Sequence, residues 1–416
     1  MKNIINVILV VVIGLTSCHN NDEHKTVICI PVYGQSLALG IETDRITDFD
    51  SLTKYADGRI VTENIDHKFG YFDLNERKLF MKKLLRYQKH SHEISVYSMA
   101  QWLADNTGKD TLICIFPGGQ DGTIISELGK GSLPYQKLVN DINTAYESAI
   151  DRGWSFEMPA ICWMQGETDV NSYPGTNYKE LLLQFAEDIN NDVNQITGQK
   201  NDIEIICYQT NSLTRAKHFN ASAYDCPESE VAQTQMELIR DSSMFRASGP
   251  TYPYDCVNEI IHIDGKGQMM LGILAALPAH DIITHHKNKR GLLPLTVKSN
   301  NMEVIIELSV PKPPLVFDTI RVAKTDNYGF SVITPDDRNI IREVYLQNNS
   351  VHLLCTEQPK DCKVRYAVNG DYMKSGRLHG PRGNLRDSQG DSLTINIQGE
   401  IVPIHNWCYQ FDIQIN

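Results

Sequence analysis

The stretch V-I-C-I-P-V-Y-G-Q-S-L-A-L-G, residues 27–40, decides how the chain is read. An apolar run of strand type reaches Pro31, turns at Gly34 and presents Gln35 and Ser36 where a helical pattern, Leu37, Ala38 and Leu39, begins. A serine at the carboxyl end of a parallel strand, opening onto a helix, lies in the crevice where such sheets bind ligands. Its backbone N–H and the helix dipole favour an oxyanion forming there. Taken alone, the same residues read equally well as a strand-to-helix turn with Ser36 as N-cap. The rest of the chain separates the two readings.

Working outward, the spacing predicts further strands over 111–116, 158–164 and 203–209, with helices over 98–106, 135–152, 178–196, 229–241 and 266–277. Strands alternating with helices of this length indicate a doubly wound α/β sheet. Each polar motif follows a strand, so residues far apart in sequence converge along one sheet edge. Residues 41–97 are polar and weakly periodic, with one helix expected over 75–85, and 242–253 reads as loop. After a polar linker, 281–291, short β-type runs separated by turn residues indicate a smaller all-β sandwich over 292–416.

The 416 residues are 41% hydrophobic and 22% charged, enough for two packed domains. A formal net charge of −12 argues against nucleic acid and anionic membrane surfaces as partners, because both select basic surfaces. The N-terminus has a basic start, an apolar run too short to span a bilayer, and small residues, the pattern of a signal peptide. Leu15-Thr16-Ser17-Cys18 resembles the bacterial lipobox, which implies lipidation at Cys18, a tether over 19–25, and a protein exported to the periplasm-facing or cell surface on the (outer) membrane. Among ten cysteines, Cys29, Cys114, Cys162 and Cys207 lie in apolar runs and read as buried thiols. Cys226 and Cys256 are candidates for a bridge, as are Cys355 and Cys362 around Q-P-K-D.

Serine is a weak nucleophile near neutrality and needs a base within hydrogen-bond reach, itself oriented by a carboxylate. Ser36 is the candidate nucleophile, and His262 with Glu259 three residues before it supplies base and carboxylate. Candidate oxyanion donors are the N–H of Ser36, a glycine N–H from the turn over 119–122, and the Gln165 amide.

Y-G-Q-S-L-A, P-G-G-Q-D-G-T-I-I-S-E-L, W-M-Q-G-E-T-D and E-I-I-H-I-D-G-K-G-Q, in this order, resemble the blocks of the SGNH hydrolase superfamily. They are most similar to its sialate O-acetylesterase-like group, which includes acetylxylan esterases of carbohydrate esterase family six. The resemblance spans 27–277 and implies a flavodoxin-like three-layer α/β/α esterase domain over 26–280. It implies Ser36 as nucleophile, Gly122 and Gln165 as oxyanion donors, His262 as base, and Gln35, Glu167 and Asp169 as loop supports. The superfamily carries Asp where this chain has Glu259; Asp255 is the fallback, and a Ser–His dyad the remaining option. Residues 374–388 resemble C-terminal segments of sialate esterase-like proteins, which makes Arg377, Arg382 and Arg386 candidates for a substrate carboxylate, against solvated loop arginines. The implied activity removes O-acetyl groups from carbohydrate through an acyl-serine, with no metal or cofactor. Sialate is the first substrate and acetylated xylan the alternative; a non-catalytic carbohydrate-binding lipoprotein is the reading from another class. Oligomeric state stays open.

Overall fold

The first apolar run forms two strand segments, β1 (Thr26–Cys29) and β2 (Val32–Gly34), in the computed structural model of the chain. They are interrupted where Pro31 has no N–H to give to a ladder. A short β3 (Ile60–Val61) follows. The same interruption recurs in both neighbours of the first strand: β4 (Thr111–Cys114) resumes as β5 at Pro117 (Pro117–Gly119), and β6 (Ser155–Glu157) resumes as β7 (Ala160–Met164) after Pro159. With β8 (Glu204–Gln209) and β9 (Phe245–Pro250), these segments make a parallel sheet. Its order is β3, β4/β5, β1/β2, β6/β7, β8, β9. Leaving the short β3 aside, this is the 2-1-3-4-5 order of doubly wound folds, whose switch point lies between the first and third strands. The described residues are 25–47, 59–61, 92–172, 177–210, 229–288, 291–371 and 374–415. The leader, Cys18, Cys226 and the helix expected over 75–85 lie outside them.

Two local expectations are corrected. Residues 36–42 form no helix: bonds from Ala38 N to Gln35 O (2.9 Å), Leu39 N to Ser36 O (3.1 Å) and Gly40 N to Leu37 O (3.3 Å) make successive turns. The chain then reverses through positive φ at Gly40 (67°) and Glu42 (63°), which no helix accommodates. The segment read as loop near 245 is strand β9, disguised because Arg246, Ser248, Gly249 and Pro250 dilute its apolar pattern.

Helices α1 (Ser95–Asn106) and α6 (Gly265–Ile283) pack against each other; α2 (Leu133–Ile150) packs against α4 (Tyr178–Thr197), and α4 against α5 (Ser229–Asp241). A short α3 (Glu167–Ser172) opens directly after β7. Ser132 caps α2 by accepting from Tyr135 N (3.3 Å), Gly198 ends α4 with φ 71°, and Asp264 caps α6 by accepting from Gly267 N (2.8 Å). α6 runs past its expected end, through Pro278, because its apolar residues stay buried in the core.

Beyond 291 the strands are antiparallel: β10 (Leu293–Asn300), β11 (Glu303–Ser309), β12 (Val316–Phe317), β13 (Phe330–Ile333), β14 (Ile341–Gln347), β15 (Ser350–Cys355), β16 (Lys363–Tyr366), β17 (Leu385–Arg386), β18 (Thr394–Ile397), β19 (Glu400–Pro403) and β20 (Phe411–Gln414). They form a four-stranded sheet (β10-β11-β15-β14), a three-stranded one (β13-β16-β20) and two ribbons (β12-β17, β18-β19). Cys355 and Cys362 are free buried thiols and do not form the expected bridge around Q-P-K-D. Cys29, Cys114, Cys162 and Cys207 are buried and free, and burial pushes the Cys162 and Cys207 thiols up.

The antiparallel region is laced to the sheet by residues 408–410. Gln209 donates to Gln410 O (2.8 Å) and accepts from Gln410 N (2.7 Å). Gly249 N donates to the Tyr409 hydroxyl (2.7 Å), and the Tyr252 hydroxyl donates to Cys408 O (2.9 Å).

The α1–α6 contact tests the packing. A Cβ on Gly272 would lie 2.0 Å from Ser98 Oγ and 2.2 Å from Ser95 O, where Ser98 Oγ already donates to Met269 O. We expect Gly272→Ala to destabilise the chain by about 1–3 kcal/mol, outweighing the roughly 1 kcal/mol of helix propensity gained; urea unfolding measures the difference.

Candidate active site

Backbone contact between three strand ends builds the site. A Cβ on Gly34 would lie 2.0 Å from Met164 O, and one on Gly119 would lie 1.8 Å from Gly34 O. Only glycine permits that approach. Gln120 N donates to Gly34 O (3.0 Å) and Gln35 N to Met164 O (3.1 Å). The loops after β2, β5 and β7 are thereby joined at the switch point, with Ser36 on the first of them.

Gln35 and Asp169 lock these loops together. Gln35 Oε1 accepts from Gly166 N (3.2 Å) and Thr168 N (3.3 Å), tying the serine loop to the start of α3. Asp169 is fully buried; its Oδ2 accepts from Ile125 N (3.0 Å) and from Gln165 Nε2 (2.5 Å). The loop after β5 is thus fastened to the loop after β7.

Gln165 departs from its expected part. Its Nε2 donates to Thr123 O (3.2 Å) as well as to Asp169, so both amide hydrogens are engaged, and the Asp169 carboxylate fixes which end of the amide faces it. Its main-chain carbonyl accepts from the Tyr178 hydroxyl (2.8 Å) and Gln235 Nε2 (2.8 Å). As placed, Gln165 cross-links the loops and has no side-chain hydrogen left for an oxyanion. The N–H groups of Ser36 and Gly122, by contrast, donate to no acceptor among the described residues, and Gly122 sits in a left-handed turn (φ 66°) with open space at its Cα.

His262 lies in the loop leading into α6, beside the serine loop. Gln268 of α6 donates to Leu37 O (3.0 Å), and a Cβ on Gly265 would meet Asp44 O at 2.6 Å. The carboxylate on His262 is neither expected candidate. Glu42, six residues after Ser36, accepts at Oε2 from His262 Nδ1 (2.7 Å). His262 Nε2 makes no hydrogen bond among the described residues, and neither does the Ser36 hydroxyl. Glu259 instead pairs with Lys374 (2.5 Å) and His379 (3.1 Å), and Asp255 with Arg377 (2.8 Å). The Lys374 hydrogen bond holds the Glu259 carboxyl below its ordinary range. Sequence spacing could not single out Glu42, because its role depends on the reversal at Gly40 that replaces a helix.

Glu167 is also buried, with its two oxygens 2.6 and 2.5 Å from the Tyr208 hydroxyl. Burial pushes its carboxyl up, while the Tyr208 and Thr210 hydrogen bonds and the nearby charge of His262 pull the other way. The arginines expected at the substrate are spent inside the protein. Arg377 pairs with Asp255, Arg382 donates to Ala323 O (3.0 Å) and Gly380 O (3.0 Å), and Arg386 pairs with Asp318 (2.7 Å).

Residues 83–279 match the family described as carbohydrate esterase, sialic acid-specific acetylesterase. No curated protein matches the sequence. Among solved structures, a carbohydrate acetylesterase from Xanthomonas citri is 14% identical over 94% of this chain and 80% of its own, with a TM-score of 0.62, which shows a shared fold. NanS is 14% identical over 63% of this chain and 98% of its own at a TM-score of 0.41. A carbohydrate acetylesterase from Sinorhizobium meliloti, Est24, is 13% identical over 62% of this chain and 99% of its own at 0.33. The chain is a carbohydrate acetylesterase, and so a carboxylic ester hydrolase.

Two outcomes follow from the geometry. The Glu42 side chain is 61% exposed, so its pairing with His262 is screened by water and worth about 1 kcal/mol at most. Glu42→Ala is expected to lower kcat for p-nitrophenyl acetate by about fivefold or less, measured at saturating substrate. Because burial raises the Glu167 carboxyl, the folded chain keeps a proton that the unfolded chain releases, and stability falls as pH rises from about 4 through the folded value. Glu167→Gln removes that part of the decline, which urea unfolding at a series of pH values records.

Proposed function

We propose that Ser36 is the nucleophile and His262 the base of this acetylesterase, and that its substrate is O-acetylated sialic acid. The observation that carries the assignment is the orientation of His262: Glu42 occupies Nδ1, so Nε2 is the nitrogen left for a serine on the same loop as Glu42. His262 Nε2 takes the Ser36 proton as Oγ attacks the acetyl carbonyl. The N–H groups of Ser36 and Gly122, both without an acceptor among the described residues, receive the tetrahedral oxyanion. Collapse breaks the bond to the sugar oxygen, which leaves with the proton from His262, and the acetyl group stays on Ser36. Water, deprotonated by the same nitrogen, then releases acetate and restores the serine.

The sialate reading is supported by the description of the matching family. One observation favours a neutral acetylated polysaccharide such as xylan instead. Arg377, Arg382 and Arg386 are each engaged by the protein's own carboxylate or carbonyl groups, so none of them is held ready for a substrate carboxylate.

Ser36→Ala is expected to abolish acetate release and fluorophosphonate labelling without changing the unfolding midpoint; full residual activity would refute the nucleophile. Acetate release from O-acetylated sialic acid should exceed that from acetylated xylan at least tenfold in kcat/KM, roughly 1.4 kcal/mol of transition-state discrimination. The reverse ratio selects the polysaccharide.

A further inference from the structure

The loop that carries His262 is a narrow hairpin. Asp264 N donates to Asp255 O (2.9 Å), Val257 N donates to His262 O (2.6 Å), and Cys256 bridges Ile263 in antiparallel fashion. Its tip contains two consecutive non-glycine residues in the left-handed region, Asn258 (φ 54°) and Glu259 (φ 56°). Such a pair persists only where surrounding contacts over-determine it.

Those contacts come from residues 374–379 of the antiparallel region. Ser375 N donates to Glu259 O (2.8 Å), and Arg377 N donates to Tyr254 O (3.0 Å), so the segment touches both the tip and the root of the hairpin. Gly376 (φ 83°) allows the close approach, since a Cβ there would lie 2.8 Å from Tyr254 O and 3.2 Å from Cys256 N. Side chains reinforce the backbone. Lys374 and His379 grip the two oxygens of Glu259, and Arg377 grips Asp255. Arg377 is anchored in turn by donating to Arg321 O (3.2 Å).

We infer that residues 374–379 position the catalytic base, with Glu259 and Lys374 as positioning residues that act on His262 through the hairpin backbone. This rests on the assignment of His262 as base. The two carboxylates nearest His262 upstream in sequence, Asp255 and Glu259, then serve the reaction without touching the imidazole. They hold the hairpin to a segment more than 100 residues away, so that the imidazole keeps its place against Glu42 of the serine loop. Three strained or tight backbone positions, Asn258, Glu259 and Gly376, meet at this contact. That concentration is what a contact made to fix geometry requires.

The test uses the full chain and p-nitrophenyl acetate, a substrate too small to need the antiparallel region. Glu259→Gln and Lys374→Ala are each expected to lower kcat about tenfold with KM within about twofold. Fluorophosphonate labelling of Ser36 should slow by the same factor, and the unfolding midpoint should stay unchanged. The exchanged pair, Glu259→Lys with Lys374→Glu, is expected to recover most of the lost rate. Unchanged kcat in both single variants, while His262→Ala is inactive, overturns the inference and leaves the base assignment standing. Losses that merely track a lowered unfolding midpoint, with no recovery in the exchanged pair, overturn it as well. Full activity of His262→Ala overturns the base assignment itself.

Discussion

The arrangement depends on backbone meeting backbone at Gly34, Gly119 and Met164. A single methyl group at either glycine would lie 2.0 Å or less from a carbonyl oxygen, so the three strand ends could not close. Their closure makes three loops, drawn from 130 residues of sequence, into one surface. Gln35 and Asp169 then supply the hydrogen bonds that keep it closed. The prolines at or beside each strand interruption serve the same end, because each central strand is free to change direction before it reaches the site.

Much of this was legible in the residues. The α/β alternation, the positions of the main helices and the placement of polar motifs after strands follow from apolar periodicity, which reports burial directly. What sequence could not show was chain reversal. Leu37, Ala38 and Leu39 look helical, and only positive φ at Gly40 and Glu42 reveals that the serine loop doubles back and presents a carboxylate. The three-residue spacing of Glu259 and His262 was misleading for the same reason. Left-handed backbone at Asn258 and Glu259 turns the Glu259 side chain toward Lys374 and His379. The arginines misled differently: a loop rich in Arg and Gly suggests ligand binding, but carbonyl groups such as Ala323 O and acids such as Asp318 claim them first.

The electrostatics divide between exposed and buried carboxylates. Glu42 orients His262 at the surface, where water weakens the pair. Glu167 sits within reach of the same imidazole but is buried, where desolvation opposes its ionisation. Gln165, bound on both amide hydrogens, is a cross-link whose replacement would loosen two loops at once.

The lacing of Gln209, Gly249 and Tyr252 to residues 408–410 has a consequence for the order of events in biosynthesis. A chain made from its N-terminus completes the parallel sheet long before residues 408–410 emerge. Until they do, the Gln209 amide and the Gly249 N–H have no partner from that segment, and the carboxyl edge of β8 and β9 stays open. The sheet is thus completed by residues 408–410, and a molecule still short of them carries the serine loop without the frame that completes it.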